Sequence, residues 1–239
     1  MLLRLPTSVS EAQECLAEGA VPIGGATLVW AGWQRDGFPE LAMSLRDLPE
    51  ANTIGDGTLG AAVLLHRIDD RVPEVLRRAA ATVGTGAVRR TATVGGNLVG
   101  STLRCLLPGA IVLDARAVIL EPEGVRETDL AEVLAKRHLL LGLRWSAPTA
   151  SSYHKSEGEA GGAPPLVVAA ALRPAADGRR LLRVAVRDGY EVLADSIVCD
   201  TEPDSLLGAL RNGDLGQLPP EAWEITSRQV TELLARPGE

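Results

Sequence analysis

The chain has 239 residues, of which 46% are hydrophobic but only 3% aromatic, so its core must be built from aliphatic side chains. It carries 24 basic and 31 acidic residues with no long basic run, which argues against a nucleic-acid partner. The three cysteines are far apart and form no CxxC pair, so the sequence predicts no metal or Fe–S site of its own. No segment approaches the ~20 apolar residues of a membrane span and no signal peptide is recognisable, which predicts a cytoplasmic protein with no membrane partner.

The first fifty residues have the pattern of a small α/β unit. Short apolar runs predict strands, and the serines after the first run are suited to cap a helix. Two consecutive glycines follow the second strand. The predicted elements are strands at 2–5, 20–23 and 41–45, a helix capped by Ser8 or Ser10, and a helix that starts near Thr27.

The rest of the chain is predicted to form two further regions that contain both helices and strands. The predicted fold class of the whole chain is α+β. The predicted subdomains span residues 1–50, 51–146 and 147–239. The middle region is predicted to contain a buried strand at 58–65, a helix at 72–84, a glycine-rich loop at 84–100, a helix feeding a strand at 105–120, and a strand at 139–145. The last region is predicted to contain a polar loop at 156–165, a strand at 166–172, a hairpin around Asp188 and Gly189, and a helix at 219–236 with proline at its start.

The first candidate site is the turn after the second strand. Glycines allow backbone N–H groups to approach a phosphate closely, and a helix start adds a partial positive charge. A threonine hydroxyl can add one hydrogen bond, although a Gly-Gly pair in this position can also be a plain tight turn. The candidate cofactor-binding residues here are Ile23, Gly24, Gly25, Ala26, Thr27 and Leu28.

The second candidate site has the same composition, about seventy residues later. Its glycines lie between a hydroxyl and an amide side chain and can form an anion-binding nest. Asn97 can equally serve to hold its own loop, and the preceding Arg89 and Arg90 can pair with phosphate or simply lie at the surface. The candidate residues are Thr93, Gly95, Gly96 and Asn97.

Two such motifs in one chain predict a dinucleotide site, because a pyrophosphate offers two phosphate groups to bind. The sequence has no GxGxxG fingerprint with a following acidic residue and no GxxxxGK[ST] loop. Neither a Rossmann site nor P-loop nucleotide hydrolysis is therefore indicated.

The motifs resemble those of a known family, the FAD-binding subunits of the molybdenum hydroxylases, such as xanthine dehydrogenase and carbon monoxide dehydrogenase. PIGGATL resembles the first FAD motif of these subunits, and VRRTATVGGNL resembles the second. TLGAAVLLHRI, IVLDARAVI and SSYHKS with LVVAAAL resemble segments that occur between and after them, in the same order. The resemblance covers residues 1 to about 173.

The resemblance implies two α/β subdomains that hold FAD between them, followed by a C-terminal α+β subdomain. It implies that both glycine motifs hold the pyrophosphate, that Tyr153 lies near the isoalloxazine ring and that Lys155 lies near its polar edge. His154, between these two, can act as a proton donor or acceptor. The family's flavin passes electrons between an Fe–S subunit and NAD, a quinone or oxygen, so Fe–S and molybdenum subunits are the implied partners, together with a small-molecule substrate.

Some segments depart from the family pattern. Leu106 stands where an Asp is expected, the residues after Lys155 are acidic and glycine-rich rather than basic, and the C-terminal subdomain is predicted to be shortened. These departures leave two readings open. One is an FAD-dependent oxidoreductase subunit, and the other is a stand-alone enzyme that keeps FAD but catalyses a non-redox step, such as a cyclisation in natural-product biosynthesis. A third, a cofactor-free scaffold protein, would bind no flavin.

Overall fold

The computed structural model describes residues 1–158, 162–175, 178–199 and 202–236, and these residues form two compact units. The predicted polar loop at 156–165 includes residues 159–161, which lie outside the described residues. The first unit comprises Met1–Val72, Val83–Leu106 and Ala115–Trp145, and the second comprises Pro73–Thr82, Leu107–Asp114 and Ser146–Glu239. The predicted division into subdomains 1–50, 51–146 and 147–239 stays a prediction.

The strands of the described residues form three sheets. Two of the sheets belong to the first unit and one to the second. The strands are β1 Leu2–Arg4, β2 Val21–Ile23, β3 Leu41–Ser44, β4 Ile54–Gly55, β5 Thr58–Gly60, β6 Arg116–Glu121, β7 Gly124–Asp129, β8 Leu139–Arg144, β9 Ala150–Lys155, β10 Val167–Pro174, β11 Arg180–Asp188 and β12 Glu191–Cys199.

Helices and strands both occur in runs along the described residues, with β8 to β12 consecutive and the last two α-helices after them, so the fold is a mixed α+β fold. Most α-helices are short, and α8 is the longest. The helices are α1 Val9–Ala17, α2 Trp30–Asp36, α3 Glu74–Ala81, α4 Gly86–Arg89, α5 Leu107–Val112, α6 Leu130–Lys136, α7 Pro203–Asn212 and α8 Pro220–Leu234.

The first unit contains a parallel and an antiparallel sheet. The parallel sheet has the strand order β1-β3-β2, and the antiparallel sheet has the order β4-β5-β8-β6-β7. Ser8 caps α1, since its hydroxyl accepts a hydrogen bond from the N–H of Glu11 at 3.2 Å. Buried residues of α1 and of both sheets form one apolar cluster, which includes Ala12, Met43 and Leu141.

The second unit is a four-stranded antiparallel sheet with helices on both faces. Its order is β12-β11-β10-β9, and the predicted hairpin connects β11 and β12 through Gly189, whose φ of 61° favours glycine. Alternate residues of β10, such as Ala170, pack with α7 and α8. The other face of the sheet contacts α3 and α5. Because β10 is covered on both sides, its residues from Val167 to Leu172 are all buried.

The structure corrects three of the predicted elements. The strand predicted at 58–65 ends at Gly60, because the following backbone turns to bond the second glycine motif. The helix predicted to start near Thr27 starts at Trp30, after a turn in which Ala26 has a left-handed backbone with φ of 54°. The glycine-rich stretch predicted as a loop contains α4 and a π-helical turn, Gly96–Gly100. None of the helices in the described part of the chain combines the length and the hydrophobicity of a transmembrane span.

Candidate functional site

The first glycine motif is a turn with a run of unpaired backbone donors. Within the described residues, the N–H groups of Gly25, Ala26, Thr27 and Leu28 donate to no other protein group. Gly25 and Ala26 are half-buried and the next two residues are exposed, so these donors lie at the surface. Successive unpaired N–H groups around a left-handed residue are the typical arrangement of an anion-binding nest.

The two glycine motifs contact each other directly in the first unit. A Cβ atom on Gly25 would overlap the backbone carbonyl of Thr91, and a Cβ on Gly24 would overlap the hydroxyl of Thr93. Gly25 therefore permits the close approach of two backbone segments, and Gly24 leaves room for the side chain of Thr93. The two motifs are about seventy residues apart in the sequence, but this packing brings them together in space. The hypothesis of one shared site requires such a contact.

The second glycine motif is held by the segment that follows β5. The N–H of Gly95 donates to the carbonyl of Ala61 at 2.8 Å, and the N–H of Val94 donates to that of Val63 at 3.0 Å. A Cβ on Gly95 would lie 3.1 Å from the Cβ of Ala61, closer than ordinary contacts. A short ladder of backbone hydrogen bonds thus attaches the motif to the segment that follows β5.

The side chains of Thr93 and Asn97 hold this second motif together. The Thr93 hydroxyl accepts from the N–H of Gly96 at 3.1 Å, and the Asn97 Oδ1 accepts from the N–H of Leu106 at 2.9 Å. Both residues are buried, and Leu106 has no exposed surface. Asn97 therefore holds its own loop, which is the second of the two roles that the sequence left open. The apolar Leu106 fits this interior, where the family pattern would place an Asp.

Most of the donors in the second motif are already used within the protein. The N–H groups of Gly95, Gly96 and Asn97 all have protein acceptors, so they do not form a free nest. Among the described backbone N–H groups from Thr93 to Asn97, that of Thr93 alone has no protein acceptor. The binding capacity of the joined motifs therefore lies mainly in the first turn.

Neither motif contains a charged side chain, so its electrostatic field comes from backbone dipoles. The nearest cations in sequence are Arg89 and Arg90. Arg89 donates to the carbonyls of Val83 and Gly84, at 3.0 and 2.8 Å, and thereby closes the turn before α4. Arg90 is exposed. It precedes Thr91 in the sequence, and the carbonyl of Thr91 packs against Gly25.

Tyr153, His154 and Lys155 lie on β9 in the second unit. The Tyr153 hydroxyl is 3.1 Å from the Thr82 hydroxyl, and the Lys155 ammonium donates to the Thr82 carbonyl at 2.9 Å. Thr82 ends α3, so both side chains bind the C-terminal end of that helix, where a cation is favourable. His154 points to the opposite face of the sheet, because neighbouring residues of a strand alternate.

The Asp of the IVLDARAVI segment also has a structural role within the second unit. Burial alone would raise the pKa of the Asp114 carboxyl, but hydrogen bonds from Arg183 and Arg173 hold that pKa below its ordinary value. The Arg173 guanidinium lies 3.1 Å from the carboxylate. Asp114 thereby connects the end of α5 to β10 and β11.

The remaining histidines serve local contacts. His66 lies 3.3 Å from the carbonyl of Arg89, and His138 lies between the carboxylates of Glu121 and Glu132, at 3.3 and 3.5 Å. No group of three or more His, Cys, Asp or Glu side chains that could hold a metal ion occurs among the residues that the structure describes.

Sequence reasoning missed two features of the site. The backbone after β5 supports the second motif through its carbonyls, and no side-chain pattern signals such contacts. Trp30 and Trp33 lie about one helical turn apart in the sequence, which fits packing residues or a residue that borders the cofactor, and the sequence did not reveal that Trp30 is 50% exposed. Their helical spacing was visible, whereas their exposure depends on what α2 packs against.

Comparison with known proteins gives a family and several similar structures. Residues 3–140, more than half of the chain, match the model of the FAD binding domain in molybdopterin dehydrogenase. No curated protein matches the chain in sequence. In fold it is similar to quinoline 2-oxidoreductase from Pseudomonas putida 86, at 20% identity and a TM-score of 0.70 over 97% of this chain and 95% of that one.

Two carbon monoxide dehydrogenase structures have the same fold. Reconstituted CO dehydrogenase from Oligotropha carboxidovorans is 18% identical, with a TM-score of 0.71 over 98% of this chain and 96% of that one. The cyanide-inactivated Cu,Mo-CO dehydrogenase is 18% identical, with a TM-score of 0.69 over the same shares. The resemblance seen in the two glycine motifs is thus confirmed at the level of family and of fold. The chain belongs to the family of FAD binding domains in molybdopterin dehydrogenases.

Proposed function

We propose that this protein binds FAD through the joined glycine motifs and acts as the flavoprotein subunit of an oxidoreductase. The observation that carries the proposal is the run of four unpaired N–H groups from Gly25 to Leu28, at a turn whose glycines pack against the second motif. Membership of an FAD-binding family gives the ligand that such a run of donors would bind.

The chemistry of these donors fits a diphosphate. The N–H groups of the first turn would donate to the phosphate oxygens, and the Thr27 hydroxyl and the N–H of Thr93 would add two further hydrogen bonds. Because Gly24 and Gly25 touch the second motif directly, both motifs can contact one diphosphate. Ile23 and Leu28 would border the cofactor with apolar surface.

Bound FAD would supply a two-electron acceptor that can also exchange single electrons. In this proposal Tyr153 and Lys155 lie toward the isoalloxazine and His154 exchanges a proton. Tyr153 and Lys155 have defined positions on β9 through their contacts with Thr82, whereas His154 points to the opposite face of the sheet. The roles of these three residues stay predictions.

The proposed partners are Fe–S and molybdenum subunits, with a small-molecule substrate at the complete complex. Two observations support this assignment: the family takes its name from molybdopterin dehydrogenases, and similar structures include a Cu,Mo-CO dehydrogenase. The alignments extend over 95–96% of those chains, and the predicted shortening of the C-terminal subdomain stays a prediction.

The test is the absorption spectrum of the purified protein, with and without added FAD, followed by anaerobic addition of NADH and then of dithionite. We expect an oxidised flavin spectrum that bleaches with a reductant. Bound flavin that dithionite reduces but NADH does not would favour another electron donor or the non-redox alternative, and co-purified Fe–S subunits would decide between these. A protein that binds no FAD would contradict the proposal and favour a cofactor-free scaffold.

A further inference from the structure

Helix α2, directly after the first glycine motif, carries an exposed apolar surface. The helix buries none of its own residues. Leu28 is 57% exposed and Trp30 is 50% exposed, and Val29 and Phe38 are exposed as well. Large apolar side chains that cluster at a surface mark binding sites more often than single exposed ones do.

This surface holds much of the aromatic content of the chain. Of the seven aromatic residues, four Trp, two Tyr and one Phe, three lie between positions 30 and 38. The ring centroids of Trp30 and Phe38 are 5.3 Å apart at an interplanar angle of 70°, and those of Trp33 and Phe38 are 6.1 Å apart. Edge-to-face contacts of this kind hold the Trp30 ring in place without burying it.

The surface is continuous with the row of unpaired donors. The N–H of Trp30 donates to the carbonyl of Ala26 at 3.0 Å, so Trp30 lies one helical turn after Ala26, a residue of the donor row, and two residues after the end of that row at Leu28. A ligand whose diphosphate binds to Gly25–Leu28 would therefore have Trp30 next to its phosphate end. A dinucleotide has a planar ring on each side of its diphosphate, and planar rings pack well on tryptophan.

We propose that Trp30, together with Leu28, forms the surface on which the adenine ring of FAD packs. The inference rests on the proposed FAD binding and adds a residue that determines cofactor affinity. Adenine is the nearer of the two rings, because a single ribose joins it to the diphosphate, whereas the longer ribityl chain separates the isoalloxazine. Trp30 lies only two residues after Leu28, the last residue of the donor row, so we assign it to the ring that is nearer to the diphosphate.

The experiment measures the binding of four probes, FAD, ADP, FMN and inorganic pyrophosphate, to the full chain and to Trp30→Ala, by calorimetry and by quenching of tryptophan fluorescence. We expect Trp30→Ala to weaken FAD and ADP roughly tenfold or more, the usual effect of losing one stacked ring. Binding of pyrophosphate and FMN should not change. Trp30→Phe should restore most of the affinity, because it keeps an aromatic face.

Tyr190→Ala is the matched control, because Tyr190 is an aromatic residue that is 67% exposed in the β11–β12 turn. It should leave all four affinities unchanged, and thermal unfolding should show that both variants are folded. Equal FAD and ADP affinities of Trp30→Ala and the unmodified chain would overturn the inference and leave the proposed function intact. Failure of the unmodified chain to bind FAD would overturn the proposed function itself.

Two further outcomes identify other occupants of this surface. Loss of FMN affinity with unchanged ADP affinity would assign Trp30 to the isoalloxazine and contradict the adenine assignment. A dimer of the unmodified chain that Trp30→Ala dissociates, with no change in FAD affinity, would show that a second copy covers the surface. Light scattering on the same samples distinguishes this case.

Discussion

The two glycine motifs of the first unit have nearly the same sequence signature but use their backbone groups in opposite ways. In the first motif, the N–H groups from Gly25 to Leu28 have no protein acceptor within the described residues. In the second, the N–H groups of Gly95 and Gly96 are bonded to Ala61 and to the Thr93 hydroxyl. The first motif therefore presents donors, and the second provides the support on which the first turn rests.

The difference teaches that a pair of glycines does not by itself indicate a phosphate site. A Cβ on Gly24 or Gly25 would overlap the second motif, and a Cβ on Gly95 would lie only 3.1 Å from the Cβ of Ala61. Close packing against a neighbouring group therefore accounts for glycines in both motifs. The availability of the neighbouring N–H groups, which differs between them, decides which motif can bind an anion.

The largest effect is expected from Gly25→Ala, which breaks the contact between the motifs. The new Cβ would overlap the Thr91 carbonyl, and that backbone can yield only if the whole turn moves. FAD affinity should fall by about a hundredfold or more, since misplaced donors lose several charge-assisted hydrogen bonds. Titration of the apo-protein with FAD, followed by flavin fluorescence, measures this loss.

Gly208→Ala is the control for this substitution. Gly208 lies inside α7 with no neighbour close to its would-be Cβ, so alanine should stabilise the protein by about 0.5–1 kcal/mol and leave FAD affinity unchanged. Unchanged FAD affinity in Gly25→Ala would contradict the donor role of the first turn.

Asn97→Ala tests whether the second motif is a support. It leaves the buried N–H of Leu106 without its acceptor, which should lower the free energy of unfolding by about 1–3 kcal/mol. Urea unfolding of the apo-protein measures this change, and we expect the loss of stability even when FAD is absent. A variant of full apo-protein stability that nevertheless loses FAD would instead make Asn97 a direct ligand of the cofactor.

Thr93→Val removes the hydroxyl that accepts from the N–H of Gly96 while keeping the shape of the side chain. The expected loss of stability is about 1 kcal/mol, the net value of one hydrogen bond. Thr93→Ser retains the hydroxyl and should keep most of the stability. Equal thermal midpoints of the Val variant and the unmodified protein would show that this hydrogen bond does not hold the motif.

The smallest effect is expected from Thr27→Val in the first motif. If the donors are backbone groups, as proposed, the loss of one exposed hydroxyl should weaken FAD binding by no more than about threefold, within the net value of a single neutral hydrogen bond. The same fluorescence titration applies. A loss of thirtyfold would show that the Thr27 side chain, rather than the backbone, is a principal ligand.

Much of the fold was predictable because local patterns and tertiary packing agree. The strands at 20–23 and 41–45, the hairpin at Gly189 and the C-terminal helix occur where the sequence predicts them. The strand at 58–65 was wrong beyond Gly60. Its apolar residues continue without a break in the sequence, but the carbonyls of Ala61 and Val63 bond the distant second motif.

The sequence by itself determined the family and the two motifs, because glycine spacing and the Thr-x-Gly-Gly-Asn pattern are local properties of the chain. Only the tertiary structure decided that the motifs meet, which N–H groups remain unpaired and that Trp30 is exposed. The reason is physical: whether a backbone donor is free, or an apolar side chain covered, depends on groups from distant parts of the chain, and no local pattern records those neighbours.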